Sequence, residues 1–479
     1  MANASLFLAT LWLEFLSNES EMPDTFDAVV IGTGQSGPSL ALKLADSGQK
    51  VAVVERARFG GTCVNTGCIP TKTLVASARV AQVARRAADF GIMIGGEIGI
   101  DMRRVMARKE QVSGASRSSV EKGLAEHSNC TVFRGHGRFV SDREIRVGNA
   151  VISSKQIFLN VGTRAAVPDI PGLADVPYLT NSSILEIESV PEDLIVVGGS
   201  YVGLEFGQIF RRFGSKVTIL ERGAFLLSRE DQDISNGVRD ILTKEGIRVL
   251  VNCAPMSVAK GADGIEVRTG APDGSPIRGT HLLVAAGRKP NTDDLGLENT
   301  GVQRDAHGFI KVDDELRTSV AGIWATGDCN GRGAFTHTSY NDYEIVAANL
   351  LTDDKRRVTE RITTYAVFID PPLARAGMTE TEVRTSGKKA LIGRRQMSHV
   401  GRAVEKGETE GFMKIMVDAE THRILGAAIL GTGGDEAIHC ILDTMYADAP
   451  YTVLQKAVHI HPTVSELIPT MLGGLQPLC

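Results

Sequence analysis

The sequence is poor in the features that would mark several common fates. Seven cysteines in 479 residues are too few and too scattered to staple a secreted disulfide scaffold, and a chain of this length buries large cores without such staples. Positive charge is not in surplus. The formal net charge is −5, so the overall basic field that holds nucleic acid is missing. The apolar stretch Ala4 to Leu16 is interrupted by Glu14, has no positive flank of the signal-peptide kind and is too short to span a bilayer. We read residues 1–21 as an extension ahead of the fold, with Met22 as a start; a weak membrane anchor is the alternative. What remains is a globular balance of 43% hydrophobic and 23% charged residues, spread over two to four domains. The expected setting is cytoplasmic, without nucleic acid or membrane as a partner.

What is present is more specific. Phe26–Ile31 is short, apolar and β-branched, which predicts a buried parallel strand. Gly32, Gly34, Ser36 and Gly37 follow, then a helical stretch to Ala45 and a strand Val51–Val54 ending in Glu55. Glycines at this spacing allow a tight turn and the close approach of a pyrophosphate to a helix N-terminus, and the acid can accept from a ribose diol. The unit recurs. Leu194–Val197 predicts a strand; Gly198, Ser200, Tyr201 and Gly203 form the turn, with Ser200 in place of the middle glycine; Val217–Leu220 leads to Glu221. In both copies the first glycine precedes the acid by 23 positions, 32 to 55 and 198 to 221. Two such units imply two dinucleotides or two halves of one site.

Between them lies the run Gly60 to Lys72, with Cys63 and Cys68 separated by four residues. This is not the zinc spacing, and no second Cys/His pair follows to complete a tetrahedral site; no metal ligand set is expected. On an ideal helix, residues five apart lie roughly 8–9 Å apart at Cα, beyond the usual disulfide span. A bridge would need a distorted first turn, for which Gly67 and Pro70 are suited. Bridges that are strained or exposed are the readily reduced ones, and a helix N-terminus favours the thiolate.

The run Gly60-Gly61-Thr62-Cys63 to Cys68-Ile69-Pro70-Thr71-Lys72 resembles the active-site segment of the flavoprotein disulfide reductases, the family of the FAD-dependent pyridine nucleotide-disulfide oxidoreductases that includes dihydrolipoamide dehydrogenase, glutathione reductase and mercuric reductase. The resemblance extends from about residue 24 over nearly the whole chain. It implies that Cys63 attacks the substrate while Cys68 contacts the flavin. It makes Gly61 and Thr62 cofactor contacts, and Lys72, near the flavin, the ion-pair partner of Glu205. Tyr201 matches a tyrosine that gates the nicotinamide pocket, with simple packing as the alternative. Asn160–Arg164 and Ala285–Asn291, with Gly162 and Gly287, resemble the junctions linking the two nucleotide domains. Ile323 to Asp328, ending in Gly327-Asp328, resembles the second flavin motif, whose carboxylate holds a ribityl hydroxyl.

Beyond about Ile362 the pattern becomes one of alternating strands with a helix around Glu436–Tyr446. His461 and Glu466 match the family's His–Glu pair, in which the imidazole reaches the cysteines of a second subunit and moves protons; a homodimer is implied. His459 has no such match and reads as structural. The expected fold is α/β, with two Rossmann-like dinucleotide-binding domains and an α+β C-terminal dimerisation domain. The expected divisions are an N-terminal extension (1–21), an FAD-binding domain in two parts (22–180 and 289–355), an NAD(P)-binding domain (181–288) and a dimerisation domain (356–479). The expected cofactors are FAD and NADH, with some use of NADPH because Arg222 and Arg229 soften the repulsion between Glu221 and a 2′-phosphate. The expected reaction passes electrons through FAD and the Cys63–Cys68 pair to a small disulfide. The alternative acceptor is a metal ion, as in mercuric or copper reductases, although the single Cys479 departs from the paired C-terminal cysteines of the mercuric branch. A flavin-bound sensor without turnover is a third reading, and intact Cys63, Cys68, Lys72, Glu205 and His461 speak against it.

Overall fold

The computed structural model describes residues 23–262, 264–270 and 275–478; the expected extension over 1–21 and the C-terminal Cys479 lie outside them. Contacts divide the chain into two units. One holds the chain up to Phe59, Val120–Gly162 and Pro290–Arg356; the other holds Gly60–Ser119, Thr163–Lys289 and Arg357 onward.

The first unit is built on a five-stranded, all-parallel sheet in the order Ile323–Ala325, Ile157–Leu159, Ala28–Ile31, Val51–Glu55, Cys130–Arg134. Its central strands are buried on both faces, which is why they read as continuous Val/Ile/Leu/Ala runs and not as alternating ones. Helices Gly37–Asp46 and Thr336–Leu351 pack together beside it. A second sheet, Asp24–Phe26, Ala150–Ser154, Glu144–Val147, Gly137–Phe139, adds Phe139, Ile145 and Ile152 to the same core. The single strand expected over Phe26–Ile31 is therefore two strands in two sheets. The chain changes sheet at Asp27, whose carboxylate accepts the Lys50 N–H (2.7 Å) and whose carbonyl accepts the Ser154 hydroxyl (2.9 Å). Periodicity alone does not register such a corner, because Phe26 and Ala28 are both buried.

The second unit carries a four-stranded parallel sheet, Arg248–Leu250, Lys216–Leu220, Asp193–Val197, His281–Val284, a small antiparallel sheet between Met256 and Gly279, and a six-stranded sheet in the order Thr364–Val367, Leu373–Gly377, Ile424–Leu430, Phe412–Asp418, Ala390–Gln396, Gln476–Pro477. Helix Gly434–Tyr446 lies across this last sheet and buries Ala437, Ile438 and Ile441 against Ala374, Ala427 and Ile429. Helix Tyr201–Phe213 packs on helix Cys68–Arg85, and both contribute to one apolar cluster through Leu74, Ala78, Leu204 and Phe206.

Candidate functional site

The two glycine turns have the same construction. Gly32 (φ +100°) and Gly198 (φ +121°) adopt backbone that side chains avoid, and a Cβ on either would lie 2.3 Å from a carbonyl oxygen, that of Asn160 or Ala285 respectively. A Cβ on Gly37 would strike the Gly32 carbonyl at 2.2 Å, and one on Gly203 would strike the Gly198 carbonyl at 2.0 Å. The strand-ending acid closes each turn. Glu55 accepts from the N–H and hydroxyl of Thr33 (2.9 and 2.6 Å) and from the Ala57 N–H (2.8 Å). Glu221 accepts from the N–H groups of Gly199 (2.8 Å) and Gly223 (2.7 Å). Each carboxylate thus keeps lone pairs for a ribose diol while its position is fixed. These cradles, which a single Cβ would fill, fit the pyrophosphates of dinucleotides at the start of helices Gly37–Asp46 and Tyr201–Phe213.

The copies differ at one facing residue, which the sequence did not single out. Asn160 accepts the Gly37 N–H (3.0 Å) and donates to the Thr326 carbonyl (3.1 Å). Its amide oxygen lies 2.7 Å from where a Gly34 Cβ would sit. In the second copy the corresponding residue is Ala285, which projects no amide, and Ser200 stands in extended backbone (φ −102°, ψ 179°) where the first copy has Gly34. The second copy therefore has no amide of the kind that a Gly34 Cβ would meet in the first. Ser36 donates to the Thr326 hydroxyl (2.5 Å), and Asp342, which is buried, accepts from the Gly327 N–H (2.8 Å) and Asn330 (2.9 Å). Asp342 fixes the turn that carries half-buried Asp328. Gly162 (φ +64°) and Gly287 (φ +127°) sit at the strand-to-loop junctions.

The cysteine run is not one helix. Cys63 lies in a short helix Gly61–Asn65, after Gly60 and Gly61 at positive φ, and Cys68 is the first residue of helix Cys68–Arg85. The break falls at Thr66 and Gly67, whose φ/ψ of −134°/−119° lies outside the helical region; a Cβ at Gly67 would press on the Thr62 carbonyl at 2.9 Å. Pro70 fits in the first turn, where no N–H is needed. Both cysteines are half-buried. The thiols of Cys130, Cys253 and Cys440 are pushed up by burial, and that of Cys329, wholly buried, to about 12. Those four therefore stay protonated at neutral pH and are poor nucleophiles.

One turn beyond Cys68, the Lys72 ammonium lies 2.7 Å from Glu205, whose side chain is 3% exposed. The other oxygen of Glu205 accepts the Phe368 N–H (2.9 Å), and the Lys72 Nζ stands 4.7 Å from the Phe368 ring centroid. Phe368 was invisible as a site residue because its contribution is a backbone N–H and a ring face. Arg288 donates to Thr163 (2.6 and 2.8 Å) and lies 3.4 Å from the Thr62 hydroxyl. Tyr201, half-buried, begins the helix that carries Glu205. Farther along, His461 Nδ1 is 2.9 Å from Glu466, yet the imidazole is 79% exposed. Val458 and Ile460 beside it are fully and 80% exposed. Among the described residues no helix is long and apolar enough to cross a membrane.

Residues 26–342 match the family model of the pyridine nucleotide-disulphide oxidoreductases, and residues 363–472 match the model of that family's dimerisation domain. The chain is 36% identical over 449 residues to the probable pyridine nucleotide-disulfide oxidoreductase RclA of Escherichia coli, covering 92% of this chain and 97% of that one. It is 31% identical over 451 residues to a dihydrolipoyl dehydrogenase of Chlamydia muridarum, covering 93% and 96%. A solved structure of the Cu(II) complex of the HOCl-induced flavoprotein disulfide reductase RclA from E. coli superposes with a TM-score of 0.86 at 35% identity, covering 94% of this chain and 99% of that one.

Proposed function

This chain belongs to the pyridine nucleotide-disulphide oxidoreductase family, and from that premise we propose that it is an NADH-dependent reductase of a small disulfide, working through Cys63 and Cys68. The observation that carries the reading is the helix break at Gly67, which puts two half-buried cysteines in adjoining helices, with Cys68 one turn from the Lys72–Glu205 pair. FAD, when bound, supplies the two-electron relay between nicotinamide and the cysteine pair. Residues 22–180 and 289–355 are assigned to FAD, 181–288 to the nicotinamide nucleotide and 356–479 to dimerisation.

In the proposed cycle the reduced pair is a dithiol. His461 takes the Cys63 proton, the Cys63 thiolate attacks one sulfur of the substrate disulfide, the S–S bond breaks, and the departing thiolate takes that proton back from His461. Cys68 then gives up its proton and attacks Cys63 in the mixed disulfide; the leaving sulfur takes that proton, which releases the second thiol and restores the bridge. One substrate disulfide thus gains two electrons and two protons. Glu466 orients His461, and the exposure of that ring suits a residue of one copy acting at the cysteines of another. The first position of helix Cys68–Arg85 stabilises a Cys68 thiolate through the helix dipole. The cytoplasm, where thiols stay reduced between turnovers, is the fitting compartment. Glu221 is held by two backbone N–H groups and does not swing away from a 2′-phosphate, which favours NADH; exposed Arg222 and Arg229 allow some NADPH use.

A second reading, reduction of a soft metal ion at the same thiols, draws on the Cu(II) complex of the RclA relative. NADH consumption measured against low-molecular-weight disulfides, Cu(II) and Hg(II) separates the two. Disulfide turnover that His461→Ala abolishes supports the first reading. Metal turnover alone, unaffected by that change, overturns it.

A further inference from the structure

Outside the site, the densest set of charges in the second unit is also the most deeply buried. Arg375, on strand Leu373–Gly377 of the six-stranded sheet, is 1% exposed, and Lys414 on strand Phe412–Asp418 is 0% exposed. Arg375 grips Glu230 with Nε (2.9 and 3.0 Å) and with a terminal nitrogen, and Tyr365 donates to the same carboxylate. Asp231 accepts from Lys414 (2.7 Å) and from the N–H groups of Glu380 and Thr381 (3.0 Å each). Asp233 and Glu380 complete the shell around Lys414 (2.8 and 3.4 Å). Burying this many charges gains little stability over apolar side chains of the same volume. What such a cluster does well is fix geometry, since every charge has one place to be.

The geometry it fixes is that of the loop 222–231, which runs from Glu221 to helix Gln232–Lys244. This loop lies on the second glycine turn. The Leu227 N–H donates to the Gly199 carbonyl (2.9 Å), and Leu226 packs where a Gly199 Cβ would be. Leu227 holds φ at +48°, a left-handed conformation that a leucine adopts only under constraint. Its carbonyl accepts the Glu230 N–H (2.7 Å), so the constrained residue is tied directly to the residue that Arg375 grips. We propose that Arg375 is a positioning residue for the nicotinamide nucleotide: through Glu230 it holds the loop 222–231 on the Gly198–Gly203 turn, and so sets nucleotide affinity from the six-stranded sheet. This rests on the assignment of the second turn to the nicotinamide nucleotide.

The test uses the full-length holoenzyme and the bleaching of its flavin absorbance by NADH in stopped flow, which needs no electron acceptor. Arg375→Lys keeps the charge and loses the forked grip. The apparent NADH dissociation constant should rise on the order of tenfold, while the limiting bleaching rate stays within about twofold. Tyr365→Phe, which removes one hydroxyl and no charge, should give a rise of about threefold. An unchanged dissociation constant in folded Arg375→Lys overturns the proposal, and so does a lower limiting rate at unchanged affinity. If Arg375→Lys does not fold, unchanged affinity in Tyr365→Phe overturns it instead. A wild-type protein that neither NADH nor NADPH bleaches overturns the assignment of the second turn itself, a result distinct from either variant outcome.

Discussion

The two glycine turns form a natural experiment that mutation can reverse. Gly34→Ser would give the first copy the residue the second already has at Ser200. Backbone conformation does not forbid it, and the three atoms nearest the new Cβ belong to the Asn160 side chain, its Oδ1 at 2.7 Å. Overpacking of this kind costs about 1–3 kcal/mol. Asn160→Ala removes two buried hydrogen bonds, to Gly37 and Thr326, at a cost of about 2–4 kcal/mol. It also empties the space the serine needs, recreating the Ala285–Ser200 pairing. The double variant should therefore be more stable than the sum of the singles implies, by about 1–3 kcal/mol. Denaturant unfolding gives the four stabilities, with FAD present and again after its removal, so that crowding of the bound cofactor is separated from crowding of Asn160. Additivity within about 0.5 kcal/mol would refute the steric account of why one copy has glycine and the other serine.

Three further outcomes are expected. Lys72→Met leaves Glu205 buried and still held by the Phe368 N–H; thermal unfolding should show a loss of about 1–3 kcal/mol, with Lys72→Arg recovering most of it, and equal stability of Met and wild type would contradict the pairing. For Asp231 and Asp233, burial alone would raise the carboxyl pKa, but Lys414 holds both below the usual range, with the N–H groups of Glu380 and Thr381 acting on Asp231 and Arg394 on Asp233. The unfolded chain therefore binds more protons, so their contribution is present above about pH 4 and is lost as pH falls through the folded values. A wild-type melting temperature that drops below pH 4, with a shallower drop in Lys414→Met, is the expected pattern. Finally, alkylation of the native, NADH-reduced protein at neutral pH should modify Cys63 or Cys68 while Cys329, held protonated by burial, reacts only on unfolding; mass spectrometry showing early labelling of Cys329 would contradict its burial.

What the sequence revealed and what it hid divides along a physical line. Gly32, Gly37, Glu55 and their counterparts Gly198, Gly203 and Glu221 were legible because a turn, a helix start and a strand end are local events, and their spacing is dictated by the backbone. The distortion expected between Cys63 and Cys68 was legible for the same reason: five residues of ideal helix are too long for a bridge, and the chain breaks at Gly67. The hidden features all depend on partners distant in sequence. Asn160 acts on Gly37 across 123 positions and on Thr326 across 166. Phe368 meets Glu205 across 163, and Arg375 meets Glu230 across 145. Nothing in the residues around Arg375 distinguishes a buried guanidinium from one at the surface. The corner at Asp27 was missed because Phe26 and Ala28 on either side of it are both apolar and buried, and only the membership of their strands in different sheets separates them.

The Asn160–Ala285 difference also bears on time. A turn stitched by a side-chain amide to a third segment must break those bonds before it opens, whereas the turn facing Ala285 lacks that stitch. The same fingerprint thus suits two tenancies. On the proposed assignment the first would hold a prosthetic group that stays through many turnovers, and the second would receive a nucleotide that departs after each one. On this view the two turns are built for different residence times, and the Asn160 amide, bonded to Gly37 and Thr326, is one side chain that sets them apart.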